Sequence, residues 1–278
     1  MANSVLELYG QSADAPDVDW PTLVREQQCP FLDRKCLKTR KSSPEITIGT
    51  CTVRYGRDTK DMIICPFRFL ERRQVFSDCL HLLQHQPGNE LHVIPEVSVP
   101  GGSVDYFLAS TRAGKVEDFV GVEFQALDTT GTVWPARHSF LERLSIAEAD
   151  PPDAKPFGMN WKMTAKTTLV QMHHKVETFE LLGKHLVLVL QDHLMDYMER
   201  EFSFSHVKVP KNDSPMHFHV YTLVEHEHGH RLDLTSRRST TSAGIGACLM
   251  LQADAEVSLL DITTHLEQKL SDATRLQF

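Results

Sequence analysis

The run HLVLVLQ at 185–191 constrains the fold more than any other stretch. Its apolar residues are nearly continuous rather than alternating. That is the pattern of a strand buried on both faces, and such a strand needs cover above and below it. An amphipathic helix precedes it. Over residues 164–183, Leu169, Met172, Val176, Phe179 and Leu182 or Leu181 form one apolar stripe, and Gly183 suits the helix end. Strand and helix together predict an α/β chain with a mixed central sheet flanked by helices.

The remaining elements follow from punctuation and period. Residues 1–28 read as an irregular arm with a short helix near Trp20. Strands are expected around Ile46 to Thr52 and around Met62 to Ile64. Residues 69–86 carry apolar residues at helical spacing, and Pro87-Gly88-Asn89 stops them. Residues 91–100 read as a strand, 131–149 as a helix opened by proline, and 192–202 as a short helix. MHFHVYTLVEHEHGHRLDL reads as one long strand, SRRSTTSAGIGACLM as a loop of small residues, and 253–276 as an amphipathic helix. Three regions result: 1–68, 69–200 and 201–278.

The stretch PGGSVDYFLASTRAGKVEDFVGVEFQALDTT, residues 100–130, reads as two strands joined by a polar turn. Residues two apart on a strand share a face, so Glu123 and Gln125 project together. An antiparallel partner brings Asp105 beside Glu123. Two carboxylates and an amide on one surface suit a hard divalent cation such as Mg2+. Any half-exposed strand alternates in the same way, so the pattern also fits plain sheet surface. Glu96, on the preceding strand, is a further candidate for the same cluster.

Four cysteines, Cys29, Cys36, Cys51 and Cys65, are separated by six, fourteen and thirteen residues. Four thiolates around one ion make a closed tetrahedral site, the pattern of structural zinc or iron. Four buried thiols would leave the same spacing. Cys29 and Cys65 are each followed by Pro and Phe, a hint of two similar loops. Cys79 falls on an apolar face and reads as core.

The helix-strand-strand-strand-helix-strand order over 69–191, with an acid on the second strand and Glu-x-Gln on the third, resembles the PD-(D/E)xK nuclease core. The texts CPF, IGTCTV, IICPFR, FLERRQVFSDCLHLL, IPEVSVPGGSVDYFL, DFVGVEFQALDTTGTVWPARHSFL and NWKMTAKTTLVQMHHKVETFELLGKHLVLVLQD resemble NotI-type restriction endonucleases. The resemblance runs from about Cys29 to Asp192. It implies a restriction-endonuclease-like core behind an N-terminal four-cysteine segment. Asp105, Glu123 and Gln125 would be the catalytic trio, with Mg2+ on Asp105 and Glu123, and Cys29, Cys36, Cys51 and Cys65 would hold iron or zinc. It also implies hydrolysis of double-stranded DNA to 5′-phosphate and 3′-hydroxyl ends. Gln125 stands where that core usually has lysine. A neutral amide is no general base, so the metal must carry more of the water activation while Gln125 orients the water.

Cutting both strands with one site per chain is met most simply by a homodimer on a palindrome. The net charge of −8 counts against a nucleic-acid partner, but local charge matters more than the sum. Arg34, Lys35, Lys38, Arg40 and Lys41 crowd one segment. Gln171, His174 and Lys175 share one side of the 164–183 helix. These are the DNA-contact candidates, and solvated helix and loop faces are the plainer reading of both groups. No apolar run is long enough to span a bilayer, and no secretory leader opens the chain, so the cytoplasm is expected.

The histidines at 217, 219, 226, 228 and 230 support a rival, a cupin-like His-metal enzyme, or else a surface strand whose histidines titrate. A third class is a non-catalytic DNA-binding protein held together by the four-cysteine site.

Overall fold

A computed structural model describes residues 3–40, 43–146, 156–227 and 229–249. The expected C-terminal helix over 253–276 lies outside them. The centre is a six-stranded mixed sheet in the order Gly229–Thr240, Met216–His226, His185–Gln191, Lys115–Gln125, Gly102–Arg112 and Glu90–Val99. As the apolar run requires, His185–Gln191 is internal and pairs parallel with a strand on each side. Its alternate residues feed two cores. Leu186, Leu188 and Leu190 pack with Leu169, Met172, Val176 and Phe179 of the long helix Trp161–Leu181. Val187 and Val189 pack on the other face with Phe69, Val75, Phe76 and Tyr221.

The long helix ends as expected. Gly183 adopts φ +61°, and Lys184 N–H returns to the Phe179 carbonyl at 2.8 Å. Leu181 and Leu182, read as part of the buried stripe, are instead 82% and 58% exposed. The helix has closed its contact with the sheet one turn earlier, at Phe179.

Expectations are corrected in three regions. Residues 1–28 are no irregular arm: Ser4–Leu8 is a strand with Leu6 and Leu8 buried, at the heart of a four-stranded antiparallel sheet with Gln11–Ser12, Thr50–Tyr55 and Lys60–Ile63. The short helix Trp20–Glu26 is present, capped by the Asp19 carboxylate. The strand expected around Ile46 to Thr52 is two, Ser43–Thr47 and Thr50–Tyr55, in different sheets.

Residues 69–86 do not form one helix. They run as the 3-10 segment Pro66–Arg73, the single helical turn Gln74–Ser77 and the 3-10 turn Leu80–Leu82. Glu71 is extended, and Arg72 and Arg73 are left-handed. Phe69, Val75, Phe76, Cys79, Leu82 and Leu83 are buried as the period demands, while Leu70 is half-buried and Leu80 exposed. The backbone breaks because Arg68 and Glu71 are recruited elsewhere. The Arg68 guanidinium donates to both Glu7 oxygens at 2.8 and 3.0 Å, to Glu71 at 2.8 Å and to the His230 carbonyl at 2.7 Å.

The third correction is C-terminal. Residues 216–234 are not one strand but the start of the hairpin Met216–His226 and Gly229–Thr240. The expected loop holds the end of that hairpin and the helix Ser242–Cys248. The hairpin extends the central sheet, so the sheet crosses the expected boundary at 200. The N-terminal sheet is tied to the centre by Gln191. Its amide oxygen accepts from Ile63 N–H at 2.9 Å, and its amide nitrogen donates to the Asp61 carbonyl at 2.7 Å. No helix among the described residues is long and apolar enough to cross a membrane.

Candidate active site and thiolate cluster

The hairpin register pairs Tyr106 with Val122, which sets Asp105 beside Glu123. Phe124 N–H donates to Asp105 Oδ2 at 2.8 Å. Glu123 faces the long helix, where Lys175 Nζ donates to its Oε1 at 2.6 Å and both side chains are buried. Burial pushes the Glu123 carboxyl up to about 7, and the neighbouring Asp105 adds to the rise despite the opposing pull of Lys175. Asp105 is also raised, mainly by burial, with Glu96 contributing. The strand pairs Pro95–Tyr106 and Val97–Val104 bracket Glu96 opposite Asp105. Glu96 is exposed and holds φ +52°, a strained conformation for a side chain of this kind.

Gln125 shares the Glu123 face, as the strand period requires, but both ends of its amide are engaged. Its oxygen accepts from the Thr168 hydroxyl at 2.8 Å, and its nitrogen donates to the Ala126 carbonyl at 2.6 Å. Orienting a water would depend on the remaining lone pair of that oxygen.

Lys175, grouped with Gln171 and His174 as an outward DNA contact, points inward. Gln171 and His174 are exposed, and Lys175 is not. The signal was present in the sequence. Thr164, Thr168, Met172, Lys175 and Phe179 are spaced four, four, three and four apart, so two threonines and a lysine interrupt the buried stripe itself.

The donor set fits a hard cation. Half-buried Asp105 and buried Glu123 repel one another when both are charged, and a divalent ion relieves that repulsion. Among the described residues no three His, Cys, Asp or Glu side chains converge at metal-binding geometry. Two carboxylates nonetheless suffice for Mg2+, which keeps several waters and takes further oxygens from a substrate phosphate.

The four cysteines lie near enough for their charges to act on one another, although no three of them converge at metal-binding geometry among the described residues. Burial raises the Cys51 thiol well above its usual value, and the Cys65 and Cys29 sulfurs raise it further. Cys29 and Cys65 are likewise raised by burial, each with a contribution from Cys36. Backbone N–H groups meet the sulfurs: Phe31 and Leu32 at Cys29, Phe67 at Cys65, and Gly10 at Cys51. The two Cys-Pro-Phe turns thus present an N–H to sulfur from the same position, two residues on. Such donors stabilise thiolates around an ion. Cys79 and Cys248 lie apart from this group, in the two cores.

Of the basic candidates, Arg34 and Lys35 are exposed beside Cys29, with Arg34 paired to it across a short antiparallel ladder. Lys35 Nζ donates to the Glu45 carbonyl at 3.0 Å. Lys38 is corrected: its Nζ turns inward to the Ile64 carbonyl at 2.5 Å, because that backbone oxygen lies next to the cysteine turn it closes. Arg40 pairs through its backbone with Ser43. Lys41 lies outside the described residues.

The histidines do not form one cluster. His217 and His219 are fully buried, His226 is exposed at the far end of the same strand, and His230 lies 3.8 Å from Asp61. His228 lies outside the described residues. Nine residues of strand place His217 about 30 Å from His226. The reading of a surface strand with titrating histidines is therefore corrected at 217 and 219, where burial lowers the imidazoles to about 4 and about 3. His219 stacks on His81, with its Nδ1 3.8 Å from the Cys79 sulfur. The strands form an open sheet, not the barrel that a cupin-like site needs. No protein-family model matches this chain, and no curated protein matches its sequence.

Proposed function

We propose that this chain is a Mg2+-dependent type II restriction endonuclease of the NotI kind. In this reading its PD-(D/E)xK core cuts both strands of double-stranded DNA as a homodimer on a palindromic site. The observation that carries the reading is the pairing of half-buried Asp105 with buried Glu123. It sits on a hairpin whose second strand runs parallel to the central strand, under a long helix that supplies one cation. Two carboxylates are not set side by side without cost, and a site that takes up a divalent ion offsets it.

Asp105 and Glu123 would hold the ion, with Glu96 opposite Asp105 as an exposed third carboxylate. When bound, Mg2+ supplies Lewis acidity and a more acidic water. Phe124 N–H orients Asp105, and Thr168 fixes the Gln125 amide on the same face. The water oxygen bonds to phosphorus as the bond to the 3′ oxygen breaks. A proton taken up by the departing oxygen leaves 5′-phosphate and 3′-hydroxyl ends. Arg34, Lys35 and Gln171, all exposed, are the groups free to meet phosphates. An iron or zinc ion in the Cys29, Cys36, Cys51 and Cys65 cluster would fix the shape of the basic turn.

The test is cleavage of large, sequence-diverse, unmethylated DNA with and without Mg2+. Discrete fragments that require the metal and vanish in Glu123→Ala are expected. No cleavage with any divalent metal overturns the proposal, and sequence-selective retention without nicking would favour a DNA-binding protein instead. Elemental analysis checks the thiolate site, since bound iron or zinc should be lost in Cys51→Ser.

A further inference from the structure

The carboxylate cluster holds a cation that its strand motif does not encode. Lys175 comes from the long helix, 52 residues after Glu123 in sequence. It reaches the carboxylate through a purpose-built contact. The turn Pro100-Gly101-Gly102 lies directly on the helix at this point. A Cβ on Gly101 would sit 2.2 Å from the His174 carbonyl oxygen, and one on Gly102 would sit 3.2 Å from Lys175 Cε. Both glycines also have positive φ. Thr178 Oγ1 donates to the Pro100 carbonyl at 3.0 Å and ties the turn down. The two glycines therefore let the turn close over the lysine stem, whose ammonium meets Glu123.

The pair is not a closed structural ion pair. Glu123 is the hydrogen-bond partner of Lys175 among the described residues, so two of its three N–H donors remain. The same ammonium acts on Asp105 as well as on Glu123. One positive charge faces two carboxylates, one buried and one half-buried, and the cluster keeps a negative surplus when both are ionised. The amide at 125, where a lysine would complete the strand motif, is tied to Thr168 and Ala126.

We propose that Lys175 is the catalytic ammonium of this site, supplied from the helix in place of a lysine at 125. From its place beside Glu123 it donates to the scissile phosphate or the attacking water. This rests on the nuclease reading, and the experiment separates the two. Cleavage, Mn2+ binding by electron paramagnetic resonance, and melting temperature are measured for the wild type, Lys175→Met and Lys175→Arg.

At pH 8.5, Lys175→Met should bind Mn2+ within about 3-fold of wild type while cleavage falls about 100-fold or more, and Lys175→Arg should recover part of that loss. Cleavage within about 3-fold of wild type in Lys175→Met overturns the proposal, as does a loss that merely follows lost Mn2+ binding. If Lys175→Met does not fold, Lys175→Arg decides. A fall of about 10-fold in cleavage at unchanged melting temperature is expected, and unchanged cleavage overturns the idea. A wild type that cuts nothing sinks the nuclease reading and the catalytic role together.

Discussion

Two buried ion pairs in this molecule have the same count, one cation against two carboxylates, and opposite characters. Arg68 meets Glu7 and Glu71, and Lys175 meets Glu123 beside Asp105. At Arg68 every nitrogen of the guanidinium has an acceptor, and Glu7 takes a further bond from the Thr52 hydroxyl at 3.0 Å. The planar fork matches its partners, and the carboxylates hold the guanidinium firmly in its charged form despite burial. At Lys175 one bond is made, donors are left over, and Glu123 rises to about 7. Burial and charge ratio do not distinguish structure from function here. Hydrogen-bond saturation does. A saturated pair is a brace, and on the proposed reading an unsaturated one with surplus negative charge takes up a metal ion.

The contrast is broken first at the brace. Arg68→Met should cost about 3–5 kcal/mol, because it leaves the Glu7 charge buried with no cation and only the Thr52 hydroxyl, and unties the N-terminal sheet from the C-terminal hairpin. Chemical denaturation measures it, and a loss under 1 kcal/mol would mean that water enters and the pair is not closed.

A second test concerns the opposite face of the sheet, where the buried groups are neutral. His217 and His219 titrate at about 4 and about 3 in the fold, below the ordinary value for histidine. The unfolded chain therefore binds more protons over that window. Stability present above about pH 6.5 is lost as the pH falls toward 4, with about 2 kcal/mol gone from each histidine by pH 5. Melting temperature against pH should show this loss, and His219→Leu should flatten the acid limb. An unchanged limb would show that the imidazoles are solvated.

The smallest effect belongs to the open pair and has the reverse sign. The Glu123 carboxyl is raised in the fold, so between about 4.5 and about 7 the folded protein binds more protons. Metal-free stability should then fall as the pH rises through that window. Asp105→Asn removes the neighbouring charge and keeps an acceptor for Phe124 N–H. It should gain about 1 kcal/mol at pH 8 without metal and lose the stabilisation that Mg2+ gives the wild type. A destabilised Asp105→Asn with an intact Mg2+ response would mean that Asp105 holds structure rather than an ion.

Much of the frame was legible because burial leaves a period. The continuous run at 185–191, the alternation through Glu123 and Gln125 and the stripe of the long helix each state which apolar side chains lie inside, and they do lie there except Leu181 and Leu182 at the helix end. The failures are of another kind. Over residues 69–86 the apolar positions were right and the helix was wrong, since Arg68 and Glu71 bend the backbone to reach Glu7 and Leu232 N–H. The strand Ser4–Leu8 went unread because Glu7 makes it look polar, and the arginine that neutralises that carboxylate lies 61 residues away. His217 and His219 looked like surface groups for the same reason.

Sequence alone therefore determined the internal strand, the mixed sheet flanked by helices, and the shared face of Glu123 and Gln125. These follow from local period and from the cost of exposing apolar surface. Which charge meets which was decided only in the tertiary structure. Lys175 reaches Glu123 because the Gly101-Gly102 turn seats the helix against the hairpin. A contact between two long side chains, 52 residues apart, leaves no period in the chain that makes it.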